Sequence, residues 1–202
     1  MRARVVFMIF LVAMGVLVGN GGSYSPVQCI ESEKQALLSF KQSLVVNEYL
    51  YDPFSSWTSN SSQQDCCSWE GIGCDNKTDH VIVIDLVKWG LGSEISTSLL
   101  ELKYLEHLNL QGNNFSSIPS FFGALTRLTY LNLETNPLSG TLPSQLGNLT
   151  SLSFLALGGT ILYPNTIPTV TNFRWISRLS FLQKLRLVFV ISPPPPIGFS
   201  QP

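Results

Sequence analysis

Apolar and polar positions repeat along the middle of the chain. The order L-x-x-L-x-x-L-x-L-x-x-N occupies residues 102–113 and recurs at 125–136. A third copy at 149–160 keeps the leucines but has Thr160 where the others have asparagine. In each L-x-L triplet the two leucines lie on one face of a short strand and the middle residue lies on the other. The pattern therefore predicts a series of short strands, each with one buried face.

The triplets recur at a nearly constant spacing. They begin at Ile84, Leu108, Leu131, Leu155 and Leu185. The last step, of 30 residues, indicates an insertion after Thr160. One such unit cannot bury its own leucines, so neighbouring units must stack and share a core, as leucine-rich repeats do. We expect a right-handed solenoid with one parallel sheet, irregular or 3₁₀ convex segments, and asparagine amides bonded to the adjacent coil.

A different period precedes the repeats. Apolar residues at Ala36, Leu37, Phe40 and Leu44 have helical spacing, and Ser32 is a candidate for the helix cap. Large apolar residues follow at Trp57 and Trp69. Repeat arrays need an end piece because the first coil otherwise leaves its core open. We therefore interpret this region as a helical N-terminal cap.

All four cysteines lie before the repeats, at Cys29, Cys66, Cys67 and Cys74. An even count in an exported chain predicts two disulfides. A bond between the neighbours Cys66 and Cys67 would be strained, which leaves two possible pairings. A metal site is disfavoured because the chain has no C-x-x-C pair and only His80 lies nearby.

The first residues have the composition of a secretory signal. Arg2 and Arg4 precede an uncharged stretch, 5–18, and then small and polar residues. This order predicts a signal peptide over 1–24, and the apolar stretch is shorter than the roughly 20 residues of a membrane-spanning helix. Apart from this signal peptide, we expect no transmembrane span in the chain. Without the leader, 10 basic residues face 13 acidic ones, a balance that argues against a nucleic-acid partner.

The sequence also argues against catalysis. His80 and His107 are the only histidines, and no nucleophile, zinc or phosphate-binding motif is present. All cysteines are expected to be bridged, so no reactive thiolate remains. We predict no catalytic residues, no metal and no cofactor.

Several segments resemble the plant extracellular leucine-rich-repeat proteins. The segments are Glu33-x-x-Ala36-Leu37-Leu38-x-Phe40-Lys41 after Cys29, Cys66-Cys67-x-Trp69-x-Gly71-x-x-Cys74, and Leu138-x-Gly140-x-Leu142-Pro143. The resemblance implies an α/β leucine-rich-repeat solenoid with a disulfide-pinned helical cap. It also implies bonds between Cys29 and Cys66 and between Cys67 and Cys74. A later segment, 175–182, is similar to the ectodomains of receptor-like proteins, a branch that differs from the secreted inhibitors of pectin-degrading enzymes.

These observations predict a division of the chain. After the signal peptide at 1–24, the cap extends over 25–79 and the repeats, about four to five with the last one irregular, over 80–190. No asparagine follows the last strand, and four prolines begin at Pro193. Because such a run favours polyproline II over a strand, we expect a disordered tail at 191–202 and a truncated product or fragment.

Stacked strands predict where a ligand binds. Equivalent positions form columns on the exposed concave face, since parallel strands lie about 4.8 Å apart. Tyr130 and Phe154, with His107 beside them, would form an aromatic strip of the kind that anchors partners. The alternative is that these aromatic rings only pack against one another. The predicted ligand-facing residues are Asp85, His107, Asn109, Gln111, Tyr130, Asn132, Glu134, Phe154, Lys184 and Arg186.

Four N-x-[ST] sequons are candidate glycosylation sites in an exported protein. They are Asn60, Asn76, Asn114 and Asn148. Glycans on the convex side would leave the concave side free for ligands.

The sequence thus predicts a secreted or cell-surface module of the receptor-like-protein type. The expected ligand is a peptide, a protein or a glycan, with a co-receptor as a further candidate partner, and the resemblance implies a role in plant defence or development. The expected location is the apoplast, or the plasma membrane if a longer form carries an anchor. Two alternatives are a secreted polygalacturonase inhibitor and a non-functional truncated fragment.

Overall fold

The computed structural model describes residues 28–46, 52–58, 65–159, 169–170, 173–188 and 190–191. Among these residues helix α1 covers Glu31–Ser43. The strands are β1 Val45–Val46, β2 Ile72–Cys74, β3 Val81–Asp85, β4 Leu91–Ser93, β5 His107–Asn109, β6 Asn114–Phe115, β7 Tyr130–Leu133, β8 Phe154–Gly158, β9 Thr169–Val170, β10 Lys184–Val188 and β11 Val190–Ile191. No helix in these parts of the chain is long and apolar enough to cross a bilayer.

The main sheet follows the repeat. Its strand order is β10-β8-β7-β5-β3-β2, and the five strands from β3 to β10 are parallel to their neighbours. The first residues of the L-x-L triplets are aligned across all five strands, from Ile84 in β3 to Leu185 in β10. The predicted parallel sheet is confirmed, and the longer step before β10 leaves the register unchanged. Strand β2, from the cap, adds to the sheet in antiparallel orientation.

Short 3₁₀ helices form the convex side, as predicted. They cover Thr97–Glu101, Ser120–Ala124, Ser144–Asn148 and Ile176–Arg178. Apolar residues of these segments, such as Leu99, Phe122 and Leu146, are fully buried against the leucines of the strands. The core is therefore one continuous layer between the sheet and the convex segments.

The predicted asparagine ladder is also confirmed. Asn113 Nδ2 donates to the carbonyl oxygens of Leu86, at 2.8 Å, and Leu110, at 2.9 Å. Asn136 Nδ2 makes the equivalent bonds one coil later, and its Oδ1 accepts from Phe115 N at 3.1 Å. Each amide thus pairs buried backbone groups of two coils, which would otherwise be costly to bury.

Helix α1 closes the N-terminal end of the core. Its buried positions include Ala36, Leu37 and Phe40, in agreement with the apolar spacing. The prediction for Ser32 is wrong, because the helix begins at Glu31 and its N-cap, Ile30, makes no side-chain capping bond. Serine is a common cap, but here it lies one residue inside the first turn.

Side chains fasten the segment 52–58 to the helix and to the first coil. Lys41 Nζ donates to the carbonyl oxygens of Phe54, at 3.2 Å, and Trp57, at 3.0 Å. Trp57 stacks on Trp69 with ring centroids 5.2 Å apart, and Phe54 meets Trp89 of the first coil edge-on at 5.3 Å. The rings of Phe54, Trp57 and Trp69 are buried, so the aromatic residues of the cap serve packing.

Two disulfides join separate segments of the cap. Cys29 is bonded to Cys66 and Cys67 to Cys74, the pairing that the family resemblance implies. The first joins the start of α1 to a 3₁₀ turn, and the second joins that turn to β2.

The predicted domain limits lie partly outside the described residues. The signal peptide, 1–24, lies there entirely. Of the predicted tail, Ile191 ends β11, which pairs in parallel with β9, and 192–202 lie outside the description.

Candidate ligand-binding face

The concave face presents a row of stacked rings, which we call the aromatic strip: His107, Tyr130 and Phe154. These residues begin β5, β7 and β8 and are aligned in register. The rings of His107 and Tyr130 are nearly parallel with centroids 4.1 Å apart, and those of Tyr130 and Phe154 are 4.3 Å apart. All three side chains are half-buried. Because the rings stack face to face, the strip presents a row of ring edges to solvent.

Polar side chains lie beside the strip, two residues further along each strand. Asn109 Nδ2 donates to Asp85 Oδ2 at 3.3 Å, and Asn132 Nδ2 donates to Gln111 Oε1 at 3.1 Å. Asn132 Nδ2 also donates to the Tyr130 hydroxyl oxygen at 3.3 Å. This last bond couples the polar column to the aromatic strip and holds the Tyr130 ring in place.

Asn109 and Asn132 differ from the sequence prediction. Both lie in the expected column, but they are only 8% and 4% exposed. Their Oδ1 atoms accept from the backbone N–H groups of Gln111 and Glu134. Both amides are therefore hydrogen-bonded within the protein and buried beneath the concave face, not exposed to a ligand.

The column changes at β8, where the side chains are small. Ala156 occupies the position equivalent to Asn132, and Gly158 follows it; both are buried. Arg186 of β10 reaches back across this hollow, and its Nη2 lies 3.3 Å from Glu134 Oε1. Arg186 remains largely exposed. This part of the face therefore carries a cation near the Phe154 ring.

His107 connects the strip to a negative charge. Its Nε2 lies 3.7 Å from Asp85 Oδ2. Burial lowers the pKa of the His107 imidazole below its ordinary value, and the Asp85 carboxylate opposes part of that shift. The ring is therefore biased toward the neutral form, which stacks on Tyr130 as an apolar surface.

A second row of side chains was not predicted from the sequence. The rings of His80 and Tyr104 stack at 3.6 Å, and the Arg127 guanidinium lies 4.6 Å from the Tyr104 ring centroid. Tyr104 and Arg127 occupy the same place in successive repeats, immediately before the second leucine. The equivalence of Tyr104 and Arg127 is visible in the sequence, because both precede the second leucine of their repeat.

The sequons lie away from the aromatic strip where they are described. Asn76 is exposed in the turn after β2, Asn114 is exposed in β6, and Asn148 is exposed at the end of a 3₁₀ helix on the convex side. Asn60 lies outside the described residues.

The cysteines are placed for bonding to one another. The sulfur atoms of Cys29, Cys66 and Cys67 lie within 4.8 Å of one another. All three are in disulfides, so they offer no thiolate ligand for a metal ion.

Comparison with known proteins agrees with this architecture. Residues 30–75 match the leucine rich repeat N-terminal domain, and 105–146 match a family model that consists of two leucine rich repeats. Receptor-like protein EIX1 of Solanum lycopersicum is 40% identical to this chain over 200 residues. The chain contains the N-terminal domain and the repeats of leucine-rich-repeat proteins. The alignment covers 92% of the chain but 18% of EIX1, so this leucine-rich-repeat chain spans less than a fifth of that relative's length.

Solved ectodomains share the fold. A chain in the crystal structure of the BIR3–SERK2 complex from Arabidopsis thaliana matches with a TM-score of 0.67 and 29% identity, over 78% of this chain and 82% of that one. The crystal structure of PEPR1–AtPEP1 matches with a TM-score of 0.62 and 29% identity, over 76% of this chain and 20% of the other. The leucine-rich-repeat chain therefore shares its architecture with these solved plant proteins.

Proposed function

We propose that this leucine-rich-repeat chain is an extracellular recognition module of the receptor-like-protein type, which binds a peptide or protein ligand on its concave face in plant defence or development signalling. The observation that carries the proposal is the aromatic strip. Three stacked rings, open on one side and bordered by an ordered polar column, form the kind of rigid aromatic surface at which binding energy concentrates.

The comparisons support a protein or peptide as the partner. BIR3 with SERK2 is a complex of two proteins, as its name states, and PEPR1 is named together with AtPEP1. The face itself suits an extended segment, because apolar rings and polar groups alternate in columns across the strands. Glycans on the exposed sequons Asn76, Asn114 and Asn148 would leave this face accessible.

The strip can be tested with a random peptide library displayed on phage and selected against the full, oxidised chain. The selected peptides should bind the Tyr130→Ala/Phe154→Ala variant at least about tenfold more weakly, since removing an aromatic anchor costs more than about 1.4 kcal/mol. The thermal midpoint should change little, because cross-strand pairs contribute at most about 1 kcal/mol. Affinity is measured by biolayer interferometry.

The matched control is Phe181→Ala, which removes an aromatic ring that is 69% exposed and lies outside the strip. It should leave peptide binding unchanged. Peptides that bind the double variant as tightly as the wild type would remove the strip from the proposal. An enzyme assay separates the inhibitor alternative: under our proposal the chain leaves polygalacturonase activity unchanged, whereas an inhibitor lowers it.

A further inference from the structure

A separate pocket of about 300 Å³ lies beside the N-terminal ends of β3, β5 and β7. Its lining residues are Asp75, Lys77, Thr78, Ile82, Tyr104, Glu106 and Arg127. They come from the turn after β2 and from the first three coils, so the pocket exists only where the cap meets the solenoid. Its volume is at the lower end of the range for ligand sites and suits one or two amino-acid residues.

Arg127, one of the two cations of this pocket, is held in place by a chain of contacts that begins in the cap. Glu33 of α1 is 3% exposed; its Oε2 accepts from Val81 N at 2.7 Å, and its Oε1 is hydrogen-bonded to His80 Nδ1 at 2.8 Å. The His80 ring stacks on the Tyr104 ring, and the Arg127 guanidinium lies over the Tyr104 ring. Arg127 therefore sits on a platform anchored to buried residues, which lowers the entropy lost when it binds a ligand.

The charged side chains around the pocket differ in whether they already have partners within the protein. Asp75 Oδ1 accepts three hydrogen bonds within its own turn, from Lys77 N, Thr78 N and Thr78 Oγ1. These bonds, that of the Thr78 hydroxyl first, lower the pKa of Asp75, so this carboxylate is ionised and its Oδ1 is engaged within the turn. Arg127, Lys77 and Glu106 are exposed, and none of them forms an ion pair with another described residue. Two cations and one anion are thus open to a ligand.

We propose that this pocket binds an acidic side chain of a peptide or protein ligand, with Arg127 and Lys77 holding the carboxylate and Glu106 accepting from an N–H group or a cation next to it. Arginine is suited to this role because its planar fork binds a carboxylate through two parallel hydrogen bonds. A polyanion such as an oligogalacturonide fits less well, because its successive carboxylates would meet Glu106 and Asp75. The pocket extends the proposed function, giving the ligand a second contact point that does not involve the aromatic strip.

The test is an NMR titration of the full, oxidised, ¹⁵N-labelled chain with N-acetyl-Asp-Lys-amide. We expect saturable shifts of the Arg127 side-chain Nε–H and of the backbone amides of Lys77 and Thr78. N-acetyl-Asn-Lys-amide, which has the same shape without the carboxylate charge, should give no saturable shift. Trigalacturonate should bind more weakly than the Asp dipeptide.

Variants assign the effect to the proposed residues. Arg127→Ala should weaken binding of the Asp dipeptide at least tenfold. Lys103→Ala, which removes an exposed cation outside the pocket, should leave that binding unchanged. Lys77→Ala provides a second variant if Arg127→Ala fails to fold. The Tyr130→Ala/Phe154→Ala variant should bind the dipeptide like the wild type, so failure of the strip and failure of this pocket are distinguishable.

Three results would each overturn the assignment. They are equal binding of the Asn and Asp dipeptides, wild-type affinity in folded Arg127→Ala or Lys77→Ala, and tighter binding of trigalacturonate than of the Asp dipeptide. The last would point to an acidic polysaccharide as the ligand.

Discussion

Two glycines on the convex side allow successive coils to approach closely. Gly123 and Gly147 are the fourth residues of consecutive 3₁₀ segments and are both buried. A Cβ atom at Gly123 would overlap the backbone carbonyl of Gln145, and one at Gly147 would lie 2.9 Å from Trp175 O. Because the obstacle is backbone, neither contact can be relieved by a side-chain rotation.

Gly123→Ala should therefore destabilise the chain by about 2 kcal/mol, within the range for overpacking of a close-packed core. The matched control is Gly92→Ala in β4, where the added Cβ would lie an ordinary 3.5 Å from Asn114 Nδ2. The free energy of unfolding is measured by urea titration with tryptophan fluorescence. Equal stability of the two variants would show that the convex segments can move apart at no cost.

His107 makes stability dependent on pH in a defined direction. Burial lowers the pKa of its imidazole in the folded state below the value in the unfolded chain. The unfolded chain therefore binds the proton more readily, and stability should fall as the pH drops through the unfolded and then the folded pKa. Asp85→Asn removes the charge that favours protonation and should lower the pKa of His107 further. NMR titration of the His107 ring protons measures the pKa of His107 in the wild type and in Asp85→Asn. A pKa that rises in Asp85→Asn would contradict this account.

At the scale of one coil, the ladder asparagine is the main polar element of the core. Asn136 is fully buried and makes hydrogen bonds to Leu110 O, Leu133 O and Phe115 N. These atoms belong to two neighbouring coils and to β6. One side chain thus closes the turn after its strand and ties adjacent coils together.

Asn136→Ala should cost about 3 kcal/mol, because it leaves several buried backbone groups without a partner at about 1–3 kcal/mol each. Asn114→Ala is the control, since Asn114 is exposed. Both are compared in urea titrations of protein from a bacterial periplasm, which permits disulfides. A loss below that of the control would mean that water replaces the amide.

At the scale of the whole molecule, stability depends on how the cap is tied to the repeats. Helix α1 covers the first coil, Glu33 bonds the start of β3, and β2 joins the edge of the main sheet. The disulfide between Cys29 and Cys66 spans 37 residues, and that between Cys67 and Cys74 spans 7. The cap is therefore part of the same cooperative core as the first coils.

Removing the longer link should be more costly. In the chain-entropy description Cys29→Ser/Cys66→Ser loses about 4 kcal/mol and Cys67→Ser/Cys74→Ser about 2.5 kcal/mol, because the longer loop gains more freedom in the unfolded state. Urea midpoints of the two double variants decide the order. A larger loss for the shorter link would mean that native contacts of the turn, and not loop length, dominate.

Much of the solenoid could be predicted because a repeat converts distance along the chain into proximity in space. Residues about one repeat apart become neighbours on adjacent strands, so Leu108, Leu131 and Leu155 define a register that the structure reproduces. The same rule placed His107, Tyr130 and Phe154 side by side. The depth of each side chain did not follow from the rule, since the burial of Asn109 and Asn132 depends on the size of their neighbours.

The sequence by itself determined the stacked strands, the asparagine ladder and the columns of the concave face, because each depends only on a local pattern and its period. Only the tertiary structure decided what happens where unlike segments meet. The contact from Glu33 through His80 and Tyr104 to Arg127 joins the helix of the cap to the first three coils, and no period relates residue 33 to residue 127. The pocket beside it exists for the same physical reason: packing between non-equivalent elements sets which charges remain unpaired and open to a ligand.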